Sequence, residues 1–308
     1  MMTTNILLAA LTSRTLLGDG AMGTQLQLAG LEPGGCGEAW NVDEPEKILA
    51  VQRAYVEAGS DCLITNTFGG SRIMLERHDE SDRTREINRA GVEIARSAFG
   101  QRPGFVLGGI GPFGGLLEPY GDIPASRVAE AFAEQADALV SAGVDAIIIE
   151  TQTSLEELQL GLGAARAAGA GCIIGSMAFD TLRDGSGVRT MMGTSPEQAA
   201  EFMVANGADI VALNCGTGID MVTAADVVRL YRSACDLPIM AKPNAGQPVL
   251  ENMQVVYKQS PSEMAMGLEA VISAGASIVG GCCGSTPAHI RKFRTILDRN
   301  HAQKGKGT

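Results

Sequence analysis

The amino-acid sequence predicts one domain of the α/β class, a closed (β/α)8 TIM barrel, and three observations lead to it. Short apolar runs rich in β-branched residues recur eight times, at intervals of roughly 35 to 40 residues, as expected for a strand plus a crossover helix. The runs are almost continuously apolar, which is typical of parallel strands buried on both faces. Eight such units fit the 308 residues and close naturally into a barrel. A doubly wound open sheet is the alternative, but no G-x-G-x-x-G turn follows the first strand.

Each predicted strand is a short apolar run that leads into a turn. In chain order the strands are Thr15–Gly18, Asp61–Thr65, Phe105–Ile110, Asp145–Ile149, Cys172–Met177, Asp209–Leu213, Pro238–Ala241 and Ser277–Val279. Parallel strands need a crossover between them, so we expect a helix after each one.

Proline at the first helical position indicates where three of these helices begin. Pro45 precedes Glu46–Ala58, Pro196 precedes Glu197–Asn206, and Pro287 precedes Ala288–Leu297. Four helices are predicted to end at glycine caps, at Ala58-Gly59, Ala142-Gly143, Asn206-Gly207 and Ala274-Gly275. We expect the barrel to span residues 1–299. Residues 300–308 are polar and rich in glycine and lysine, which predicts a disordered tail.

Composition narrows the class of partner and the compartment. With 24 basic and 35 acidic residues the net charge is −11, which argues against nucleic acid or an anionic membrane as the main partner. The apolar stretch Ile6–Leu11 has no basic region before it and is too short to span a bilayer. Seven cysteines, an odd number without clustering, fit a reducing compartment better than a disulfide framework. We therefore expect a cytoplasmic protein.

The most informative motif is the pair Cys282-Cys283, which glycines flank in the segment Gly280–Gly284 at the end of the last strand. Adjacent Cα atoms are about 3.8 Å apart, below the usual disulfide range, so the two cysteines are poor candidates for bonding each other. Two thiolates at one strand end can instead bind one soft cation, and glycine lets the backbone bend and approach closely. A redox dithiol and plain packing are the alternatives.

A third cysteine, Cys215, follows the sixth predicted strand. Strands six and eight are separated by one strand in a closed barrel, so Cys215 can reach the cysteine pair. Three thiolates with one open position are typical of catalytic zinc rather than structural zinc. The remaining cysteines are not predicted to bind metal. Cys62, Cys172 and Cys235 are predicted core or surface thiols, and the role of Cys36, in a glycine-rich loop, is undecided from the sequence.

Polar residues follow several strands, at the end of a barrel where active sites lie. In strand order these positions hold Asp19, Asn66, Gly111, Glu150, Phe179, Cys215, Lys242-Pro243-Asn244 and Cys282-Cys283. Three thiols and two carboxylates are thus predicted to converge on one mouth, which strengthens the metal interpretation.

The sequence resembles the homocysteine S-methyltransferase family over nearly its whole length. The matching segments are Gly18–Thr24, Thr65–Phe68, Glu150-Thr151, Asn214-Cys215, Pro243–Gly246 and Gly280–Gly284. The resemblance implies a zinc-dependent (β/α)8 barrel that methylates the sulfur of homocysteine to give methionine. The combination of the G-G-C-C-G element with a separate N-C element makes the resemblance specific.

The resemblance also implies roles for single residues. Cys215, Cys282 and Cys283 match the zinc ligands. Asp19 and Glu150 resemble the acidic residues around the substrate ammonium, and backbone at Gly20 and Ala21 would help to receive the carboxylate. These roles are physically sensible, because carboxylates suit an ammonium and free N–H groups in a glycine turn suit an anion. From the residues alone, Asp19 could equally be a turn or N-cap residue and Glu150 a member of a buried ion pair.

Two further positions stay open at this stage. Asn244, after the seventh strand, could occupy the open metal position when substrate is absent, or could simply form a turn. Trp40, the only tryptophan, could form an aromatic wall of the donor site or pack beneath its loop.

The methyl donor is predicted from what the chain lacks. Betaine-using members carry aromatic side chains that hold a quaternary ammonium by cation–π contact, whereas Gly69 and Thr151 stand at the corresponding positions here. Segments 19–25, 179–190 and 243–246 look closer to the homocysteine module of cobalamin-dependent methionine synthase. The chain has no D-x-H-x-x-G cobalamin motif. We therefore expect a stand-alone homocysteine module served by a separate corrinoid protein.

Three alternatives remain at the level of sequence. The first is a methyltransferase that uses a small free donor: betaine, dimethylsulfoniopropionate or S-methylmethionine. The second is a non-catalytic module that holds a thiol amino acid. The third is a vicinal-dithiol redox protein, which would oxidise thiols without zinc.

Overall fold

A computed structural model describes the backbone of residues 5–251 and 254–304, and its centre is one sheet of eight parallel strands. The strands are β1 Leu16–Leu17, β2 Cys62–Ile64, β3 Phe105–Ile110, β4 Ala146–Gln152, β5 Ile173–Met177, β6 Ile210–Asn214, β7 Ile239–Lys242 and β8 Ala276–Val279. Each overlaps one of the eight predicted runs. With helices packed around the sheet, the predicted (β/α)8 class is confirmed.

The sheet closes through a short seam between its first two strands. Hydrogen-bonded neighbours follow the order β1-β8-β7-β6-β5-β4-β3-β2. Across the remaining gap, Asp61 N–H donates to the Leu17 carbonyl over 2.6 Å and Leu17 N–H donates to Asp61 Oδ2 over 2.8 Å. These two bonds bring β1 and β2 together into a nearly closed barrel, so the open-sheet alternative is wrong.

Helices cover the outside of the barrel. They are α1 Ile6–Leu11, α2 Gly23–Leu28, α3 Trp40–Asp43, α4 Pro45–Ala58, α5 Arg72–Leu75, α6 Thr84–Phe99, α7 Ala125–Ser141, α8 Leu155–Ala167, α9 Pro196–Ala205, α10 Met221–Ala234, α11 Pro261–Ala265, α12 Leu268–Ser273 and α13 Pro287–Lys304. Hairpins extend from two loops, Asp180–Thr181 with Val188–Arg189 after β5, and Pro248–Glu251 with Gln254–Tyr257 after β7. Within the described ranges, every helix is too short or too polar to cross a membrane.

The predicted helix ends follow local backbone chemistry. Pro45, Pro196 and Pro287 begin α4, α9 and α13, where the missing proline N–H leaves no helical bond unmade. The four predicted cap glycines all have left-handed φ angles, 104° at Gly59, 90° at Gly143, 76° at Gly207 and 118° at Gly275.

The last helix is longer than the sequence suggested. α13 continues to Lys304, beyond the predicted helix end at Leu297. The reason is that no glycine or proline interrupts residues 288–304, and Ala302, Gln303 and Lys304 are good helix formers. Residues 305–308 lie outside the described residues.

The barrel interior is apolar at its base and includes two of the thiols predicted to be structural. Cys62 and Cys172 are buried there among Leu16, Ile148 and Ile174. A larger cluster fills the layer between strands and helices, and half-buried Cys235 packs against it. These three cysteines therefore behave as small hydrophobic residues, as predicted.

An aspartate precedes each of β2, β4 and β6 and joins that strand to its neighbour. The carboxylates of Asp61, Asp145 and Asp209 accept the N–H groups of Leu17, Val106 and Ile173 over 2.7 to 2.8 Å. Charge-assisted bonds of this kind fix strand positions at the base of the barrel. The opposite ends of the strands are left to the loops that carry the functional residues.

Candidate functional site

Three cysteine side chains meet at the C-terminal end of the barrel. Cys215 follows β6, and Cys282-Cys283 follow β8, with β7 between them. All three Sγ atoms lie within 4.8 Å of one another. The Cys215 and Cys283 sulfurs are 3.7 Å apart, and those of Cys282 and Cys283 are 4.0 Å apart. The convergence of the three predicted thiols is thus present in the folded chain.

Unusual backbone presents these thiols. Cys215 itself has a left-handed φ of 61°, and Gly216 follows with 86°. L-residues rarely adopt this region, and such strain costs of order 1 to 3 kcal/mol when it is held in place by its surroundings. On the other side, a Cβ at Gly281 would lie 2.4 Å from Ser285 Oγ, so only glycine allows the turn before the pair to pack this closely.

The thiols are electrostatically coupled. Hydrogen bonds among the sulfurs shift each pKa in both directions, and burial with the charge of the neighbouring thiols makes the net effect a rise, to about 11 for the pKa of Cys215 and about 12 for those of Cys282 and Cys283. Three adjacent groups that cannot ionise easily on their own become strong ligands when a cation compensates their charge. The donor set therefore fits a soft divalent metal ion.

Asp19, after β1, is buried and fully engaged by the protein. Its Oδ1 forms an ion pair with Lys242 Nζ, and its Oδ2 accepts the Ile64 N–H over 2.7 Å. Burial alone would lower the pKa of Lys242, but the negative charges of Asp19, Glu150 and Cys282 together outweigh that effect and raise it. Lys242 is therefore a permanent cation in the wall of the site.

Glu150, near the end of β4, is the second predicted carboxylate. Burial raises its pKa to about 7, against the opposing influence of Lys242. A Cβ at Gly109 on the neighbouring strand would lie 2.7 Å from Glu150 Oε1, so glycine there makes the space that the carboxyl group occupies. At neutral pH this group is poised between its charged and neutral forms.

Thr151 and Asn214 form a clamp between Glu150 and the thiols. Thr151 has a left-handed φ of 60°, a strained conformation for a β-branched residue. Asn214 holds it in place, since its Oδ1 accepts the Thr151 N–H over 2.9 Å and its Nδ2 donates to Thr151 Oγ1 over 2.7 Å. The same Nδ2 lies 3.9 Å from Cys282 Sγ. The clamp thus ties the strand that carries Glu150 to the thiol cluster.

A cavity of about 400 Å³ opens above the three sulfurs. Seven of the predicted site residues line it, namely Asp19, Gly20, Ala21, Glu150, Cys215, Cys282 and Cys283. Ala21 N–H donates to Ser285 Oγ over 3.1 Å, so that group is already shared with the protein. A cavity with soft ligands at its floor and charged groups on its wall can hold a small zwitterionic thiol.

Asn244, the eighth predicted site residue, lies behind the cavity lining. Its Nδ2 donates to the Gly216 carbonyl over 2.8 Å, which supports the loop that follows Cys215. Its Oδ1 is buried and, within the described part of the chain, has no hydrogen-bond partner. A buried amide oxygen without a partner, on a residue that supports the loop after Cys215, is consistent with a ligand position that a metal would use.

Other strand-end residues turn out to be structural. Asn66 Nδ2 donates to the Gly37 carbonyl and to Asn41, both over 2.8 to 3.0 Å, and so anchors the long loop after β1. Trp40 does not line the cavity, and Lys47 Nζ lies 4.3 Å from the centre of its ring. Lys242 was predicted to lie at a strand end, but no role was predicted for it. A lysine at the end of an apolar strand could have indicated a buried ion pair.

Known proteins resemble the chain in sequence and in fold. The profile of the family described as homocysteine S-methyltransferase matches residues 16–297. Methionine synthase from Mycobacterium tuberculosis is 36% identical over 94% of the chain, and that from Mycobacterium leprae is 35% identical over 95%. The chain spans about a quarter, 25%, of the length of these two relatives.

Among solved structures, the metallated form of the homocysteine methyltransferase MmuM from Escherichia coli superimposes with a TM-score of 0.77 at 23% identity. The match covers 95% of the chain and 100% of the MmuM chain, which confirms the fold. Because the family profile covers nearly all of the barrel, the chain belongs to the homocysteine S-methyltransferase family.

Proposed function

We propose that the protein transfers a methyl group from a corrinoid carried by a separate protein to the sulfur of homocysteine, forming methionine, and that zinc is its metal. The observation that carries the proposal is the meeting of three thiols at the floor of a cavity whose wall holds Glu150, Asp19 and Lys242. Cys215, Cys282 and Cys283 would hold the ion. The chemistry supplied by zinc is to favour the deprotonated, nucleophilic form of the substrate thiol at neutral pH.

The remaining residues bind and orient the amino acid. Glu150 would receive the substrate ammonium, because Asp19 is already paired with Lys242 and Glu38, the third carboxyl group of the cavity lining, accepts the Gly69 N–H. Binding a cation would stabilise its ionised form and lower its pKa from about 7. Asp19 lies on the same wall and adds negative potential. Backbone at Gly20 and Ala21 would meet the carboxylate, with the Ala21 N–H shared with Ser285.

Asn244 would fill the fourth ligand position before substrate binds. Its unpartnered Oδ1 supports this role. Backbone bonds also tie its neighbours to the cysteine pair, since Ala245 N–H donates to the Cys283 carbonyl over 2.9 Å and Cys282 N–H donates to the Pro243 carbonyl over 2.8 Å. Small movements of the segment around Asn244 would therefore also move Cys282 and Cys283.

The lining of the cavity supports a donor that is not a small quaternary ammonium. Phe68 is the single aromatic residue among the lining residues in the described ranges. At Gly69 a Cβ would lie 3.1 Å from Glu38 Oε1, and Trp40 is occupied by Lys47 outside the cavity. Cation–π recognition needs aromatic faces around the charge, and this cavity does not provide them.

Exposed apolar side chains on the same end of the barrel support a macromolecular donor. They lie on loops that follow strands, with exposed fractions of 77% at Tyr120, 68% at Met191 and 67% at Leu250. Tyr120 and Met191 line one further cavity together, and contiguous apolar surface is typical of a region that another protein covers. The identity of the relatives as methionine synthases, in which this chain matches only a quarter of the length, agrees with a partner that carries the methyl group.

The test is a donor panel with the full chain, zinc and homocysteine. Methylcobalamin, free and bound to a corrinoid protein, is compared with betaine, dimethylsulfoniopropionate and S-methylmethionine, and methionine is measured. We expect turnover with protein-bound methylcobalamin and none in the Cys215→Ala variant. Turnover with a small donor alone would show the donor assignment to be wrong. Homocysteine binding without methionine from any donor would favour a non-catalytic module, and thiol oxidation without zinc would favour a redox protein.

A further inference from the structure

Lys242 is the one cationic side chain among the described residues that line the cavity. It is 5% exposed, and its neighbours are strongly anionic. Asp19 is paired with it, Glu150 is close enough to shift its pKa, and Cys282 contributes in the same direction. A homocysteine molecule that enters this cavity brings a carboxylate of its own into an already negative environment.

Homocysteine has two methylene groups between its sulfur and its α-carbon, so both charged ends must be received within a few ångströms of the sulfur cluster. The ammonium can be placed near Glu150. The carboxylate would be repelled by Glu150 and the thiolates unless a positive group faces it. Main-chain N–H groups help, but the Ala21 N–H is already shared with Ser285 Oγ.

Lys242 has the chemistry to meet this need. An ammonium carries three N–H donors, and within the described residues one acceptor is recorded for it, Asp19 Oδ1. The other oxygen of Asp19 accepts the Ile64 N–H, so Asp19 holds the lysine in place without needing a substrate group. The pair therefore presents a fixed cation to the cavity rather than a free carboxylate.

We propose that Lys242 is a specificity-determining residue that binds the α-carboxylate of the substrate, while Glu150 binds the α-ammonium. The two side chains together select a zwitterionic amino acid thiol. This inference rests on the proposed function, because it assumes that homocysteine occupies the cavity. Asp19 then acts as a positioning residue for Lys242.

The test compares homocysteine with two analogues that each lack one charged group. 3-Aminopropanethiol has no carboxylate, and 4-mercaptobutanoate has no ammonium. Dissociation constants are measured by calorimetry with the zinc-loaded protein. A charge-assisted hydrogen bond is worth about 1.5 to 3 kcal/mol, or about 10- to 100-fold in affinity, so the wild-type protein should prefer homocysteine over each analogue by at least tenfold.

In Lys242→Met we expect the preference over 3-aminopropanethiol to fall at least tenfold and the preference over 4-mercaptobutanoate to remain. Glu150→Gln is the matched control, in which the opposite pattern is expected. If Lys242 were only structural, its substitution would weaken the binding of all three ligands equally. Both affinity ratios would then stay unchanged, which would overturn the inference.

Removing Lys242 leaves the Asp19 carboxylate buried without its partner, which destabilises the folded protein. The double variant Asp19→Asn/Lys242→Met removes both charges and should fold better while it shows the same loss of carboxylate preference. Retention of that preference in the double variant would also overturn the inference. Failure of the wild-type protein to bind homocysteine at all would instead count against the proposed function.

Discussion

Two residues of the site have strained backbone conformations that hydrogen bonds from a neighbouring side chain hold in place. Cys215 and Thr151 both have left-handed φ angles, 61° and 60°, and both stand at strand ends that face the cavity. Asn214 connects them, because it precedes Cys215 in the chain and clamps Thr151 through two hydrogen bonds. Strained residues persist where the surrounding structure over-determines them, and such positions cluster at functional sites. The positions of the individual site residues therefore depend on hydrogen bonds from their direct neighbours.

Replacing a thiol should remove the metal. In Cys215→Ala, Cys282→Ala or Cys283→Ala two thiols remain, and two thiolates with water form a far weaker site. We expect loss of most bound zinc, measured by elemental analysis after dialysis, and loss of methyl transfer.

Cys62→Ala and Cys172→Ala are the matched controls, because both residues are buried in the barrel interior away from the mouth. They should keep their metal and lose only about 1 to 2 kcal/mol of stability. Full zinc occupancy in Cys215→Ala would contradict the ligand assignment.

Ionisation of Glu150 should control recognition of the ammonium. Its pKa of about 7 means that the carboxylate forms as pH rises through neutrality, so preference for homocysteine over 4-mercaptobutanoate should increase between about pH 6 and pH 8. Both ligands carry the same thiol group, so the effect of thiol titration cancels in the ratio of their affinities. In Glu150→Gln this preference should be small and independent of pH, with zinc content unchanged. A pH-dependent preference that survives in the variant would place the ammonium elsewhere.

At the scale of elements, the loops after β6 and β8 are built for close approach. Gly216 and Gly218 have φ angles of 86° and 83°, and a Cβ at Gly216 would lie 1.7 Å from the Phe179 carbonyl oxygen. After β8, Gly284 has a φ of 78°, and a Cβ there would lie 2.1 Å from Tyr257 Cβ. This tight packing of the two loops brings Cys215, after β6, close to Cys282 and Cys283, after β8.

Substitution of Gly216 should therefore disturb the metal site through the loop. Gly216→Ala must move the loop away from Phe179, so we expect reduced zinc affinity and a loss of stability beyond the roughly 1 to 2 kcal/mol that a left-handed L-residue costs. Gly185→Ala is the control, since Gly185 also has a positive φ, 73°, but a Cβ there would meet no heavy atom within 4 Å. This variant should lose only the conformational contribution and keep its metal. Equal zinc binding in both variants would show that the β6 loop tolerates displacement.

At the scale of the whole molecule, closure of the barrel brings strand ends that are distant in sequence to one mouth. The seam between β1 and β2 is its weakest join, since in the described part of the chain no continuous ladder spans it and side chains make most of its bonds, two around Asp61 and one from the Ile64 N–H to Asp19. Arg294 and Arg14 also contact Asp61 Oδ2, at 2.6 and 3.0 Å, which connects the last helix and the N-terminal segment to the seam. Asp61 thus joins the first and last units of the fold.

Removal of this join should destabilise the whole barrel. Asp61→Ala is expected to lower the free energy of unfolding by roughly 2 to 3 kcal/mol, measured from urea denaturation, because the Leu17 N–H loses its acceptor and Arg294 loses one of its three partners. Asp145→Ala is the control, because Asp145 makes a similar bond to Val106 but lies where β3 and β4 are already joined by a continuous ladder. A smaller loss is expected there, and an equal loss would show that the seam is no weaker than the rest of the sheet.

Much of this molecule could be predicted from the sequence, because the signals are local and periodic. Apolar runs mark strands, proline and glycine mark helix ends, and the topology of a parallel barrel then requires all strand ends to meet. That requirement alone brings Cys215 to Cys282 and Cys283, whose convergence in the structure matches the prediction. The end of α13 lies beyond the predicted Leu297, because the residues that follow it are good helix formers without a strong stop signal.

Only the tertiary structure decided which side chains pair within the mouth. Asp19 and Lys242 are 223 residues apart, and their ion pair depends on the rotamers and the packing of two strands across the barrel. The same holds for the Asn214 clamp on Thr151. Sequence determines which groups reach the mouth, since backbone periodicity sets their positions. Packing determines which charges neutralise one another there, because pair energies depend on distances and burial that no local pattern encodes.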